Sequence, residues 1–469
     1  MRDSLENQVK VNWGRASSPS MWSALTTRIL FFSCPLVCFI FSNANTKYNG
    51  SFSEMWNNFS FENIQTSDLK TLDVFYVLGG WLLFQWILAL LPDICSKFFS
   101  LYRGGIQKGQ PTPAGKTLKY NINGLQSWII THITFIFGVY KGFINPDWII
   151  DNWVTLFYGA NLFGYILTIF AYIKAKSFST HPEDNKETGD MWYDMVMGVE
   201  FNPRIMGIDL KLFFNGRPGI VGWTLINLSF SHYQYTHFGF VSNGMIMLNV
   251  LQGLYVLDFF WNERWYLKTI DIAHEHFGFY LAWGDCVWLP WMYTLQGCYL
   301  AFHPVEHGTI GGCLVMVIGI IGYLIFRWTN YQKDYFRRRI SELKKCHKID
   351  VDDEKDPNQL MSVWGKYPSF ITCKYRTGDG EIRESYLLTS GWWGLARHMN
   401  YTGDIILSTM WGLCCGFDHI LPHFYTFYII ALLVTRVYRD ETRCKEKYGS
   451  ETWNEYCKKV PYRFIPYVY

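Results

Sequence analysis

The chain has 469 residues, of which 49% are hydrophobic, 19% aromatic and 17% charged. A soluble protein carries about 25% charged residues, so this composition favours a membrane protein over a soluble domain. The 21 Trp and 31 Tyr residues suit the aromatic belts at membrane interfaces. A net charge of +3 implies no nucleic-acid-binding tail, and 12 scattered Cys residues without a CxxC pair indicate neither a zinc ribbon nor a disulfide framework.

The apolar segments predict the fold class. A membrane-spanning helix needs roughly 20 mostly apolar residues, and by that measure the sequence predicts an all-α, polytopic membrane protein with about ten transmembrane helices. A small cytosolic loop region is expected between helices eight and nine. The candidate segments are 23–42, 71–91, 125–143, 149–173, 218–231, 241–261, 277–301, 309–328, 404–417 and 420–436.

The distribution of Lys and Arg predicts the orientation. Positive charge is enriched after the even-numbered helices, whereas the connections 302–308 and 417–421 contain no Lys or Arg. We therefore expect both termini on the cytosolic side, with the sequons at Asn49 and Asn58 on the other side. The domain division that follows is a short cytosolic N-terminus (1–22), helices one to five (23–231), and helices six to ten with loop 332–389 and the C-terminal tail (232–469).

The long polar loop has two parts of different character. Segment 347–358 is rich in Asp and Glu and is expected to be a flexible acidic insert. Segment 367–389 shows extended patterning on both sides of Gly378-Asp379-Gly380. That pattern predicts a small β-hairpin on the cytosolic side.

Acidic residues occur within two of the predicted spans. Tyr255 and Asp258 are three residues apart on helix six and share one face of it, and Asp285 lies on helix seven. An acid at membrane depth usually faces a cavity or a partner. The pattern leaves two interpretations of Asp258 open: it lines a functional cavity with Tyr255, or it bonds a neighbouring helix.

Three features at the predicted cytosolic face suit a nucleotide. Lys333 and Arg337 share a helix face after helix eight, and 387–401 places aromatic and amide side chains between glycines. Arg and Lys are the donors that phosphates need. Because no GxGxxG motif occurs, a Rossmann site is excluded and the nucleotide must be held by helix ends. The third feature is a second basic face, after helix ten, that holds Arg436, Asp440, Arg443 and Lys447. The alternative is that the cations of both faces bind lipid headgroups.

Paired histidines offer a competing interpretation. His-box spacings like these are used by membrane di-iron oxygenases, but the chain has no adjacent His-His pair, and all three pairs fall on the predicted lumenal side. The segment 303–307 also matches the HxxEH zinc-protease pattern, although its Pro304 places the first His outside a helix. No metal site is predicted. The pairs are His232/His237, His303/His307 and His419/His423.

Two long motifs resemble the signatures of the sterol reductase family. Residues 388–401 read LTSGWWGLARHMNY, and residues 189–204 read GDMWYDMVMGVEFNPR, with Phe201 in place of the usual Leu. The tail 439–449, RDETRCKEKYG, matches as well. Within the family, GGIQ at 104–107, KLFFNGRPGI at 211–220 and WGDCVWLP at 283–290 are similar to the branch that reduces the carbon 7–8 double bond of 7-dehydrocholesterol-type sterols. The segment 347–363 departs from that branch as an insert.

The resemblance implies a cofactor, a substrate route and site residues. It implies NADPH as the cofactor and a sterol substrate that enters from the bilayer. It also implies residence in the endoplasmic reticulum membrane, in contact with membrane lipid, and allows association with other sterol-biosynthesis enzymes. Tyr255, supported by Asp258, is the candidate proton donor, and Asp440 is expected beside the reacting double bond. The cofactor contacts implied are Lys333, Arg337, Leu388, Trp393, Arg397, Asn400, Tyr401, Arg436, Asp440, Cys444, Lys445, Glu446, Lys447, Tyr448 and Tyr456.

Two other functions compete with this one. The carbon-14 reductase of the same family would use the same scaffold with a different regiospecificity. A non-enzymatic sterol-binding scaffold, like the chromatin-tethering member of the family, would carry a long basic N-terminal domain. Because only about 22 residues precede the first predicted helix, the sequence disfavours a tether.

Overall fold

The computed structural model describes residues 19–59, 71–345 and 363–469, which are mostly helical. The N-terminal stretch 1–18, the acidic insert 347–358 and the end of the Asn58 sequon lie outside these ranges. The helices are α1 (Met21–Lys47), α2 (Phe52–Asn58), α3 (Thr71–Leu90), α4 (Cys95–Phe98), α5 (Gly124–Tyr140), α6 (Trp148–Asp151), α7 (Trp153–Ser177), α8 (Met191–Met197), α9 (Leu210–Phe214), α10 (Val221–Phe238), α11 (Asn243–Trp261), α12 (Glu263–Tyr266), α13 (Ile270–Ala273), α14 (Phe279–Trp283), α15 (Leu295–Phe302), α16 (Thr309–Lys345), α17 (Trp392–Leu395), α18 (Met399–Leu413), α19 (Phe424–Tyr448) and α20 (Ser450–Lys459).

Six helices of the described ranges are long and apolar enough to cross a membrane. They are Met21–Lys47, Leu72–Leu90, Trp153–Ser177, Asn243–Trp261, Thr309–Glu342 and Leu421–Tyr448. The other four predicted spans coincide with shorter or broken helices. α5 has 17 residues, α10 has 18 and α18 has 15, so the count of ten spans stays a prediction.

Two π-helical segments interrupt the bundle at prolines. One is Asn215–Ile220, which contains Pro218 and leads into α10. The other is Gly284–Tyr293, which contains Pro290 and joins α14 to α15, so that the predicted seventh span is one broken helix. Proline lacks a backbone N–H and its ring crowds the preceding turn, and a wider π turn relieves both effects.

Three small antiparallel hairpins accompany the helices. β5 (Phe370–Arg376) pairs with β6 (Ile382–Leu388) across the turn at Gly378-Asp379-Gly380, which confirms the predicted hairpin. β1 (Gly105–Pro111) with β2 (Thr117–Ile122), and β3 (Arg204–Ile205) with β4 (Ile208–Asp209), were not predicted. The sequence of β1 contains two glycines and a proline, which hide a strand from pattern analysis.

The outer surface of α16 matches what a bilayer requires. Ile310, Leu314, Val317 and Ile321 are all exposed, and their spacing of four, three and four residues places them on one face. Hydrophobic side chains of this size on a helix long enough to span a bilayer indicate a lipid-facing stripe. The opposite side of the bundle holds the core, where Trp223 and Trp411 are fully buried.

Two glycines bring α16 and α18 into close contact. A Cβ atom at Gly403 would lie 2.6 Å from the carbonyl oxygen of Gly322 and would collide with the backbone of Phe326. A Cβ at Gly322 would lie 2.9 Å from the backbone nitrogen of Leu407. Small residues at such crossings let two backbones approach closely. This contact fixes α18 against the middle of α16.

Candidate functional site

The C-terminal part of α16 carries the first basic face of the site. Lys333 and Arg337 lie on one continuous helix, as their spacing predicts. The Lys333 ammonium lies 4.1 Å from the centre of the Trp393 ring. The Trp393 indole nitrogen donates to the carbonyl of Thr329 at 2.9 Å, so the ring is held along the same helix. Arg337 donates from two nitrogens to the carbonyl of Tyr386, at 3.3 and 3.2 Å.

The turn before Trp392 depends on a glycine. Gly391 has φ of +64°, and a side chain there would collide with Gln332. The Trp392 backbone N–H donates to the Gln332 side-chain oxygen at 2.9 Å. Glycine adopts positive φ without steric cost and is the residue that fits. Leu388, which ends β6, is buried with Trp393 in one hydrophobic cluster, so the hairpin delivers 388–401 to α16.

The second basic face, on α19, converges on the first. Arg337 and Arg443 both act electrostatically on Lys333. His274, in the segment before α14, lies near cations of both faces. Burial lowers the pKa of His274 well below its usual value, and the charges of Arg443, Lys447 and Lys333 lower it further. Four cations from two distant helices therefore surround one region. Arg443 also pairs with Asp440.

Three buried polar atoms of the site have no hydrogen-bond partner among the described residues. They are the Asn400 side-chain oxygen, the His398 Nε2 and the Arg436 Nε. His398 stacks on Tyr401 with ring centres 5.1 Å apart, and its Nε2 is 3.9 Å from the Asp440 carboxylate, too far for a hydrogen bond. Buried polar atoms are usually satisfied. An acceptor, an imidazole nitrogen and a guanidinium N–H without partners are groups that a polar ligand could satisfy.

The His398 imidazole is held neutral. Burial lowers the pKa of His398 to about 3, and the nearby cations Lys333, Arg397 and Arg443 act in the same direction. A neutral imidazole at the site can accept or donate one hydrogen bond through Nε2. His398 was not among the predicted site residues, although it lies within the motif 388–401.

Arg436 connects α19 to α13 and α14. Its Nη2 donates to Asp271 at 2.7 Å and to the Tyr280 hydroxyl at 3.2 Å. Arg439 makes a parallel contact with Glu275 at 3.0 Å. Arg436 is thus already paired with an acid, while its buried Nε has no hydrogen-bond partner among the described residues.

The C-terminal segment closes one side of the site. Lys447 lies 4.1 Å from the centre of the Tyr375 ring on β5, and the Tyr448 hydroxyl lies 3.4 Å from that of Ser385. Tyr456 is buried against β5 and β6. Lys445 and Glu446 are exposed, whereas Cys444 is half-buried beside Asp440. The structure thus brings most of the predicted tail residues to the hairpin.

Arg397 differs from the expected cofactor contact. It is buried, and it donates to Glu441 at 2.7 Å and to the carbonyls of Val460 and Pro461 at 2.7 and 2.8 Å. These bonds fasten the chain after α20 to α19. A cofactor role for Arg397 stays a prediction, and its observed contacts are those of a structural ion pair.

Asp258 has the contacts of an inter-helix tie. Its carboxylate accepts from the Tyr323 hydroxyl and from Arg327, both at 2.8 Å, and both partners lie on α16. Of the two interpretations that the sequence left open, these contacts match the bonding of a neighbouring helix. Tyr255 lies one turn earlier in an aromatic enclosure, with ring centres 5.5 Å from Trp411 and 6.0 Å from Trp223.

Asp404 is an interior acid that the sequence analysis missed. It makes no hydrogen bond or ion pair with the described part of the chain, yet it acts electrostatically on Tyr255 and is itself influenced by Arg436. It lies four residues after Asn400 on α18 and so shares its face. That spacing from a predicted site residue was the available signal.

Comparison with known proteins decides the family. The model of the ergosterol biosynthesis ERG4/ERG24 family matches residues 24–469. The chain belongs to this sterol reductase family. It is 48% identical to a probable 7-dehydrocholesterol reductase of Acanthamoeba polyphaga mimivirus over 100% of both chains. It is 46% identical to 7-dehydrocholesterol reductase of Danio rerio, over 97% of this chain and 94% of the relative.

A second group of relatives is more distant. The Delta(14)-sterol reductase of Dictyostelium discoideum is 38% identical over 76% of this chain and 72% of its own length. The predicted family is confirmed, and the chain is a membrane oxidoreductase of sterol biosynthesis.

The paired histidines of this sterol reductase bond other groups. The His419 Nδ1 lies 2.8 Å from the Tyr299 hydroxyl, and the His307 Nε2 lies 3.0 Å from the carbonyl of Cys414. The His232 Nδ1 lies 2.8 Å from Asp147. Within 19–59, 71–345 and 363–469, no group of three or more His, Cys, Asp or Glu residues is arranged to hold a metal ion.

Proposed function

We propose that the protein uses NADPH to reduce the carbon 7–8 double bond of 7-dehydrocholesterol-type sterols to cholesterol-type products, in the endoplasmic reticulum membrane with both termini cytosolic. The observation that carries the cofactor assignment is the convergence of Lys333, Arg337, Arg443 and Lys447 beside an aromatic ring and buried polar atoms without a hydrogen-bond partner in the described chain. The bond assignment is supported by the higher identity to relatives named 7-dehydrocholesterol reductase.

The residues present fit a phosphorylated dinucleotide. Lys333 and Arg337 supply cations for phosphate, and Trp393 supplies a flat surface for a ring. The Asn400 side-chain oxygen and Arg436 Nε supply an acceptor and a donor that have no partner in the described chain. NADPH, when bound, supplies a hydride.

The chain's own groups supply the other half of the reaction. The Tyr255 hydroxyl, in its aromatic enclosure, would give a proton to the sterol double bond. Trp223 and Trp411, which pack around Tyr255, would exclude water and stabilise the carbocation that protonation creates. Asp440, which pairs with Arg443, would orient the cofactor or balance the developing charge.

The deciding experiment supplies both candidate substrates. The chain is expressed in cells that lack sterol reductases, and the cells are given sterols with a carbon 7–8 or a carbon 14–15 double bond. We expect mass spectrometry to show loss of the carbon 7–8 double bond. Exclusive loss of the carbon 14–15 double bond would assign the protein to the second candidate function, and loss of neither would overturn the proposal. The same cells serve for co-purification with other sterol-biosynthesis enzymes.

A further inference from the structure

The two π-helical segments contact each other beside the proposed site. A Cβ atom at Gly219, in the first segment, would lie 2.7 Å from the carbonyl oxygen of Asp285, in the second. Only glycine therefore allows the two backbones to approach this closely. π-helical turns are rare and are frequently found at functional sites. The contact places one polar side chain from each segment side by side in the interior.

These two side chains are Asn215 and Asp285. The Asn215 amide donates to one Asp285 oxygen at 3.3 Å, and each residue is 7% exposed. The other Asp285 oxygen and the Asn215 side-chain oxygen have no hydrogen-bond partner among the described residues. Two adjacent buried acceptors are thus left without a donor. Such groups are costly to leave unpaired, which points to a ligand that supplies the missing hydrogen.

Tyr266 and Phe259 connect the pair with the region around Tyr255. The Tyr266 hydroxyl is within electrostatic reach of Asp285, Tyr255 and Arg436. The Tyr266 ring packs on Phe259 with ring centres 4.3 Å apart. Gly216, next to Asn215, faces the same Phe259 ring. The Asp285–Asn215 pair and the candidate proton donor therefore border the same region from different elements.

The chemistry of the pair selects the ligand group. Two acceptors repel phosphate and carboxylate groups, which excludes the charged part of a nucleotide. A hydroxyl group donates one hydrogen bond and can also accept one, so it satisfies the pair. A sterol is apolar except for its hydroxyl. We propose that Asp285 and Asn215 bind the hydroxyl group of the sterol. This inference rests on the proposed function and adds the polar contact of its substrate.

A hydrogen bond to the sterol hydroxyl would align the sterol double bond with Tyr255. Apolar contacts alone do little to fix how far a fused sterol ring system enters a site lined by aromatic side chains. One hydrogen-bonded end fixes that depth and presents a defined carbon pair to Tyr255. Asp285 and Asn215 are thus substrate-positioning residues.

The test compares one sterol with its deoxy analogue, in which hydrogen replaces the hydroxyl. The ratio of their kcat/KM values is measured in the purified full chain. We expect the unaltered protein to favour the hydroxylated sterol by roughly 10- to 100-fold. Asp285→Leu and Asn215→Leu should bring this ratio close to one, and Asp285→Asn, which keeps an acceptor, should retain part of it.

A nearby cap residue provides the matched control. Asp209 caps α9 by accepting from the Leu212 backbone nitrogen at 3.0 Å, six residues before Asn215. Asp209→Asn should weaken the local fold and leave the substrate ratio unchanged. If Asp285→Leu and Asn215→Leu lower kcat/KM equally for both sterols, the pair is purely structural and the proposal is overturned.

Equilibrium binding separates this proposal from the proposed function. If the protein reduces no sterol, the reductase assignment fails, and binding of the two sterols is measured without turnover. Tighter binding of the hydroxylated sterol that is lost in Asp285→Leu would still support the hydroxyl site. Equal binding of both sterols by the unaltered protein would overturn it.

Discussion

The Lys333 ammonium lies over the Trp393 ring, 4.1 Å from its centre, and joins the end of α16 to the segment before α18. The relationship links a phosphate-binding type of side chain to a ring-binding type of side chain across 60 residues of sequence. Because the Trp393 indole is also bonded to α16, the two groups form one rigid unit. The proposed cofactor site depends on this unit.

Removing a cation of the first basic face should change cofactor preference. Lys333→Ala and Arg337→Ala are expected to weaken NADPH binding by roughly 10- to 100-fold, because each loses a charge-assisted contact. NADH, which lacks the extra phosphate, should be affected less. Titration of both nucleotides against each variant measures the ratio. An unchanged NADPH/NADH ratio in both variants would show that neither cation holds the extra phosphate.

Removing the Tyr255 hydroxyl should slow the chemical step without weakening NADPH binding. Tyr255→Phe keeps the ring among Trp223 and Trp411, and it should lower kcat by roughly 10²- to 10⁴-fold, the range of a lost general acid. The Kd for NADPH should stay unchanged. Single-turnover kinetics with saturating nucleotide measure the effect. Turnover equal to that of the unaltered protein would remove Tyr255 as the proton donor.

The interior acid Asp404 should matter although it lacks a hydrogen-bonded partner in the described chain. Its carboxylate acts on Tyr255 and is influenced by Arg436, so Asp404→Asn should lower kcat and alter its pH profile. Ser408 lies one turn later on α18, where its hydroxyl donates to the Ile405 carbonyl, so Ser408→Ala provides the control. Identical pH profiles of kcat for Asp404→Asn and the unaltered protein would show that Asp404 is uninvolved.

The buried Arg397–Glu441 ion pair should stabilise the folded protein. Arg397→Ala leaves Glu441 without its nearest cation and releases the carbonyls of Val460 and Pro461, which should lower the free energy of unfolding by about 3–5 kcal/mol. NADPH affinity of the folded fraction should change little. Thermal unfolding in detergent, followed by nucleotide titration of the folded fraction, separates the two effects. Unaltered stability with a large loss of affinity would make Arg397 a cofactor contact.

Local features of the site could be predicted from the sequence. Lys333 and Arg337 were placed on one face by their spacing, and the hairpin around Gly378-Asp379-Gly380 by its turn residues. Asn400 and Asp404 share a face for the same reason as the two cations. Each feature depends only on residues close together in the chain.

Long-range partners could not be predicted. Asp258 bonds Arg327, and Arg397 bonds Glu441, across 69 and 44 residues respectively. In the sequence, a cation that pairs with a distant acid looks the same as one that binds phosphate. The π-helical break at Asp285 is equally hidden, because an apolar run has the same composition whether its helix is continuous or broken.

The most direct test of the central claim follows the hydride. The purified chain is incubated with NADPH that carries deuterium at the transferable position and with a 7-dehydrocholesterol-type sterol, and the product is analysed by mass spectrometry. We expect one deuterium per product sterol, with NADPH consumed in equal amount. Sterol that is recovered unreduced, or a reduced product that carries no deuterium, would contradict it.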